Sequence, residues 1–388
     1  MWASAVTAAI LLTQTAALDS KGPLPSGKYE LVSQGIRAQF IPYGASLTNL
    51  FIRDVHGVER DVVLGYDNAS FYSESAFHPH LNGVPGRYAN RIKNGTFKID
   101  GVEYHTDLNE NGKDTLHGGR DGWDYRNWTV VAYSQDSITF SLTDPDGKEG
   151  FPGEVVANVT YFVTPYQWHL RMTAAALTKK TPLMLSSHTY WNLDGFQNPD
   201  TPLALDHTLH LPFAGLRTEV DSILIPTGNI LHNEAGGLHD WWSSPKRLGA
   251  NFSNPALAGQ CGSGCTGYDN CYIFNRPPPQ KPTPDAILSS PYSGIKVEVS
   301  TNQGAFQVYT CNNLQGGLAL KETQGFFQDS SRPRVVKDHG CIVMEVQDWI
   351  DGINHPEWGR KQIYGPGDEQ YVLEARYEFS LMGKKGGT

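Results

Sequence analysis

A carboxylic acid and an imidazole are a natural pair for moving protons, since both titrate near a working pH after modest tuning. The 388-residue chain holds thirteen histidines and 40 Asp and Glu residues. Glu345 follows the apolar run Ile342-Val343-Met344. His188 sits among Ser186, Ser187, Thr189 and Tyr190. His117 precedes Gly118-Gly119, a backbone able to approach a ligand closely. Each has an ordinary counterpart reading. Glu345 could point outward from a plain strand, and the hydroxyls around His188 could simply satisfy it. The turn at His117 could be structural, and Arg91 could pair with a surface carboxylate. His78, His80, His105, His207 and His355 are read as surface or hydrogen-bonded structural histidines.

Other chemistries find less support. No HExxH metal motif and no phosphate-binding glycine loop occurs, so no cofactor is expected. The formal net charge is −9, and the only basic runs are Lys179-Lys180 and Lys384-Lys385. Nucleic-acid binding needs a basic face, so no nucleic-acid partner is expected. No stretch of about eighteen apolar residues appears, so no membrane anchor is expected. Five cysteines leave at least one unpaired or intermolecular. Cys261, Cys265 and Cys271 share the Gly-rich segment QCGSGCTGYDNC. A zinc site there lacks a fourth ligand at finger-like spacing; a small local disulfide is the preferred reading.

The elements that must position these groups are strands. Lys28 to Arg53 contains short β-rich runs broken at Gly35 and at Pro42-Tyr43-Gly44. Thr96 to Tyr104 reads as a hairpin turning at Asp100-Gly101. Ser137 to Leu142, Glu154 to Val163, Ile295 to Ser300, Phe306 to Thr310 and Tyr371 to Leu381 continue the pattern. Long helical periodicity is hard to find, and 40 Gly and 24 Pro are spread along the chain. Aromatic residues make up 11% of the chain and charged residues 18%, which suits a globular β protein. Many short strands with turn signals predict an all-β chain built as a large antiparallel sandwich or barrel. The Pro-rich stretch Asn275 to Asp285 is read as a surface loop, leaving one domain over residues 18–388.

Several segments resemble the aldose 1-epimerase (galactose mutarotase) family. They are Tyr43 to Tyr72 with its DVVLG turn, Gly86 to Gly119 (GRYANRI through LHGG), and Ser186 to Gly195 (SSHTYWNLDG). Tyr268 to Phe274 (YDNCYIF), Gly304 to Leu314 (GAFQVYTCNNL) and Met344 to Trp358 (MEVQDWIDGINHPEW) complete the set. The blocks follow the family's order across nearly the whole chain. The resemblance implies a mutarotase-like β supersandwich that interconverts the α and β anomers of a free aldose, without cofactor. It implies Glu345 as catalytic base and His188 as general acid at the ring oxygen. Asn90, Arg91, His117, Asp269 and Gln307 are implied to line the sugar pocket. A non-catalytic sugar-binding module on the same scaffold is the alternative; the presence of both acid and base speaks against it. A phosphosugar mutarotase would need clustered cationic groups, and a glycoside hydrolase usually uses two carboxylates.

Departures from the family pattern bear on substrate preference. The glycine of the family's usual YTGN is Cys311, and its Pro-Asp-Ala-x-Asn reads Ile350-Asp351-Gly352-Ile353-Asn354. If the strands of Gln307 and Glu345 are antiparallel neighbours with these two residues opposed, then Cys311 falls opposite Cys341. Opposed residues of that kind come within disulfide range. The alternative is two ordinary buried thiols.

The N-terminus, Met1 to Ala17, has a short apolar run and small residues at Thr15-Ala16-Ala17. It is read as a secretory signal peptide over residues 1–17. Sequons at Asn68, Asn94, Asn127, Asn158 and Asn251 fit N-glycosylation, in line with a secreted protein.

Overall fold

The chain's alternating apolar and polar residues make strands its main regular structure. A computed structural model describes residues 22–75, 80–276, 283–314, 317–332 and 334–383. The proposed leader, His78, Lys384-Lys385 and part of the Pro-rich loop lie outside the described residues. Among the described residues, the single α-helix is the four-residue turn Phe71–Glu74, and no helix is long and apolar enough to cross a membrane.

Three antiparallel sheets carry the architecture. The first, of four strands, runs Tyr29–Ser33, Ile36–Ile41, Ser46–Arg53 and Glu59–Asp61. The largest has nine strands, with Tyr371–Leu381 at its centre between Ile295–Thr301 and Gln167–Ala176. The third has six: Tyr190–Trp191, Ile342–Gln347, Ala305–Tyr309, Asp269–Ile273, Leu216–Val220 and Pro226–His232, in that spatial order. The breaks at Gly35 and Pro42-Tyr43-Gly44 fall between strands as expected. The Asp100-Gly101 hairpin joins Thr96–Ile99 to Val102–His105, with both turn residues at positive φ, as a two-residue hairpin turn requires.

Strand parity sends one face of each sheet inward. In Val155–Thr164 the odd positions are buried and the even ones half-buried along all ten residues. One cluster of buried side chains draws on all three sheets, from Leu31 to Phe379. Trp168, Trp191 and Tyr377 sit at its centre. Phe40 of the first sheet stacks on Tyr161 of the largest at 4.6 Å. Ile342, Met344 and Val346 face this core. Parity then turns Val343, Glu345 and Gln347 to the sheet's other face.

Candidate active site

Glu345 is the centre of the floor. Its strand pairs with Ala305–Tyr309, and Gln307 lies directly opposite Glu345. The next strand brings Asp269 opposite Tyr309 and Cys271 opposite Gln307. The predicted register therefore holds, and Cys311 and Cys341 form a disulfide with Cα atoms 5.6 Å apart. Cys311 has φ 51°, the left-handed conformation that suits glycine. The second disulfide joins Cys261 to Cys265, and the remaining thiol, Cys271, is buried.

The walls come from loops between the sheets. The short strand Arg91–Ile92 pairs with Thr115–Leu116, which brings Asn90 and His117 together at the ladder's end. His117 N–H donates to the Asn90 carbonyl, and Asn90 N–H donates to His117 Nδ1, both at 3.0 Å. Both residues have positive φ, 60° and 51°. The extended stretch before Tyr190–Trp191 is tied to residues 82–83: His188 N–H donates to the Gly83 carbonyl, and the His188 carbonyl accepts from Asn82 N–H. These ties set His188 over the floor, with Nε2 3.5 Å from Glu345 Oε1.

The result is a cavity of about 210 Å³, polar at its base. Glu345, Asp269, His188, His117, Asn90 and Arg91 line it, joined by His80, Tyr190, Tyr309, Asn313, Leu116 and Leu314. Gln307 stands behind the cavity lining, and its Nε2 donates to Asp269 Oδ1 at 2.5 Å. It therefore orients the carboxylate and does not itself open to the cavity. Arg91 is buried, not a surface partner, and lies 3.4 Å from Glu110 and 3.7 Å from Asp114.

Burial sets the electrostatics. Desolvation pushes the Glu345 carboxyl well above the usual range, Asp269 adds to that push, and Arg91 opposes it. Desolvation, helped by His80, holds His188 down at about 3. His117 is likewise held well below its ordinary value, by burial first and then by His80, His188 and Arg91. Asp269 is raised by burial and pulled back by Arg91 and Gln307. Glu345 Oε2 and His188 Nδ1 are buried without a hydrogen-bond partner.

Two imidazole nitrogens and one carboxylate oxygen, from His117, His188 and Glu345, lie within 4.8 Å of one another, close enough to suggest a metal. The Asn90 N–H bond argues otherwise. It occupies the lone pair of His117 Nδ1, so neutral His117 carries its proton on Nε2 and presents a donor, not a ligand. The trio is built for proton transfer.

Three expectations need correction. Gln307, implied to line the pocket, stands behind it and bonds Asp269 instead. His80, read as an ordinary histidine, lines the cavity; its only sequence signal was a place six residues before the GRYANRI block. Gly118 does not make room for a ligand. A Cβ there would sit 2.0 Å from the Gly86 carbonyl oxygen, so its bareness lets two backbone segments touch and thereby fixes His117. Of the other histidines read as ordinary, three behave as expected: His105 is exposed, His207 accepts the Leu193 N–H, and His355 stacks on Trp358.

Comparison with known proteins agrees with this geometry. The family model for aldose 1-epimerase matches residues 27–378. A probable aldose 1-epimerase of Arthroderma benhamiae is 41% identical over 92% of this chain and 87% of its own length. The galactose mutarotase of Sus scrofa is 34% identical over 90% of this chain and 94% of its own. Among solved structures, an aldose epimerase homologue from C. elegans superposes with a TM-score of 0.77 at 28% identity, covering 92% of this chain and 99% of that one. With matched blocks, matched fold and a family model spanning most of its length, the chain belongs to the aldose 1-epimerase family.

Proposed function

We propose that the protein interconverts the α and β anomers of free aldoses, with Glu345 as base and His188 as acid. The observation that carries the assignment is the 3.5 Å approach of His188 Nε2 to Glu345 Oε1 in a buried cavity. A hemiacetal carbon bears both oxygens that must exchange protons, the anomeric hydroxyl and the ring oxygen. An acid and a base serving the same carbon must therefore lie close together.

Glu345 removes the anomeric hydroxyl proton while His188 delivers one to the ring oxygen, and the bond from C1 to the ring oxygen breaks. The open aldehyde turns about its C1–C2 bond. The hydroxyl made from the ring oxygen then returns its proton to His188 and attacks the other carbonyl face, and Glu345 reprotonates the new anomeric oxygen. No proton is gained or lost overall. In the empty cavity, burial favours both neutral forms, so one shared proton rests on Glu345. Passing it to His188 creates the working carboxylate and imidazolium without any change of net charge. His117 offers its Nε2–H to an oxygen at the reacting centre. Asn90, Arg91 and Asp269, the last braced by Gln307, hold the remaining hydroxyls.

The test is polarimetry of freshly dissolved α-glucose, α-galactose and xylose. Accelerated approach to anomeric equilibrium with at least one of them is expected; none with any aldose would overturn the reading. The proposal extends to location. The leader over Met1 to Ala17 and the five sequons support secretion of a glycoprotein beginning near Leu18. Intact mass of exported material, before and after glycosidase, checks it.

A further inference from the structure

The cavity contains a second histidine–carboxylate pair that the reaction above leaves without a role. His80 Nδ1 bonds Asp124 Oδ2, and the Asp124 side chain is fully buried. Its other side-chain oxygen, Oδ1, has no hydrogen-bond partner, so among the described residues His80 is the group that balances this carboxylate. His80 Nε2 lies 3.2 Å from the Tyr125 hydroxyl. The imidazole packs at 4.5 Å from the ring of His117 and at 5.7 Å from that of His188. His80 itself is held at φ 56°, a conformation that non-glycine residues adopt rarely and that concentrates at functional sites. Asp124 is carried by the turn Trp123–Tyr125, whose Trp123 N–H is tied to the Gly86 carbonyl. The pair is thus anchored to the same backbone that fixes His117.

We propose that Asp124 and His80 form a positioning pair for the acid–base site: buried Asp124 fixes the His80 imidazole, which in turn fixes the rings of His117 and His188 and, whenever it is protonated, sets a positive charge beside them. A cation there makes His188 a stronger acid once protonated, which suits a ring oxygen of feeble basicity. Glu345 faces His188 from the strand floor, His117 from its turn and Tyr190 from its own segment. Arg91 adds positive charge from beyond His117. Of these groups, His80 is the one whose charge bears on His188, whereas Asp124 bears on Glu345 by raising it. The two members of the pair therefore act on opposite partners of the acid–base couple. The inference rests on His188 and Glu345 being that couple.

The experiment follows kcat/KM against pH for the full chain and its His80→Gln and Asp124→Asn variants, with parallel NMR titration of the histidine side chains. For His80→Gln, the His188 resonance and the acid limb of the profile should both move up by about one pH unit, with the basic limb unmoved. Asp124→Asn should move the acid limb up and the basic limb down, narrowing the profile from both sides. Lowered activity with an unchanged profile and unchanged His188 titration in His80→Gln would overturn the proposal and leave His80 as a space-filling residue. Should Asp124→Asn fail to fold, His80→Gln alone decides. Undiminished turnover in His188→Asn and Glu345→Gln would instead remove the acid–base assignment, with the NMR titration still ruling on whether His80 charges the pocket.

Discussion

Two side chains bear the chemistry, and their loss is measurable apart from folding. Glu345→Gln and His188→Asn keep size and hydrogen-bonding capacity, so the fold should persist while mutarotation falls about 100- to 10,000-fold, the usual worth of a general acid or base. Polarimetry against the spontaneous rate checks this, and near-normal turnover in either would refute the roles. The pH profile follows from the directions of burial. The working couple carries one proton in total. It gains a second only as pH falls toward about 3, where His188 protonates. It loses its proton only above the ordinary glutamate range, because Glu345 is pushed up. The expected kcat/KM profile is a broad bell with its acid limb near 3 and its basic limb displaced upward, both limbs belonging to the couple and not to single residues. A lone limb at the ordinary glutamate value, with activity rising above it, would show that Glu345 works as an unperturbed base.

At the scale of elements, the floor owes its geometry to one ladder. The Cys311–Cys341 bridge closes a separation of 30 residues at the end of that ladder, within a buried cluster that includes Tyr190, Leu314 and Val343. Asn313 and Leu314, just beyond Cys311, line the cavity. Replacing both cysteines by serine should cost about 3–4 kcal/mol by the loop-closure argument and raise KM more than it lowers kcat, since Glu345 stays paired within its sheet. Denaturant titration and steady-state polarimetry test the two halves separately. Gly118→Ala belongs to the same scale. Its Cβ would collide with the Gly86 carbonyl at a residue already at φ 87°. Backbone must move, displacing neighbouring His117, and both stability and kcat should fall; an unchanged melting temperature would contradict the packing. The strand pattern made this ladder legible in outline. Even spacing put Gln307 with Cys311, and Glu345 with Cys341, on shared faces, but parity is silent about which strands meet.

Across the whole molecule, the last long strand, Tyr371–Leu381, pairs with Ile295–Thr301 on one side and Gln167–Ala176 on the other. Sheet and core thus join chain from both sides of the Pro-rich loop. Separately expressed segments before and after that loop should each fail to show cooperative unfolding, and co-expression should restore it; independent cooperative folding of either would argue for two domains. The sequons also sort by setting. Asn68, Asn94 and Asn127 are exposed, whereas Asn158 lies mid-strand in the largest sheet. The side-chain nitrogen of Asn251 is spent on the Leu238 carbonyl and the Tyr268 hydroxyl. Site-resolved mass spectrometry of secreted protein should find glycan at one or more of the first three and none at Asn251.

The amino-acid sequence by itself determined what is local. Period-two alternation and turn residues specified the β architecture, the Asp100-Gly101 hairpin and the limits of several strands, because those preferences act over a few neighbours. The ordered blocks singled out Glu345 and His188, and the structure brings the two together. Tertiary structure decided what depends on distant chain meeting. It set the register that joins Cys311 to Cys341, the close pass of Gly118 beneath Gly86, the burial of Arg91 near Glu110 and Asp114, and the entry of His80 into the pocket. A histidine in a loop carries no mark of the cavity it will face; only the packing of three sheets around one core makes His80, His117 and His188 neighbours.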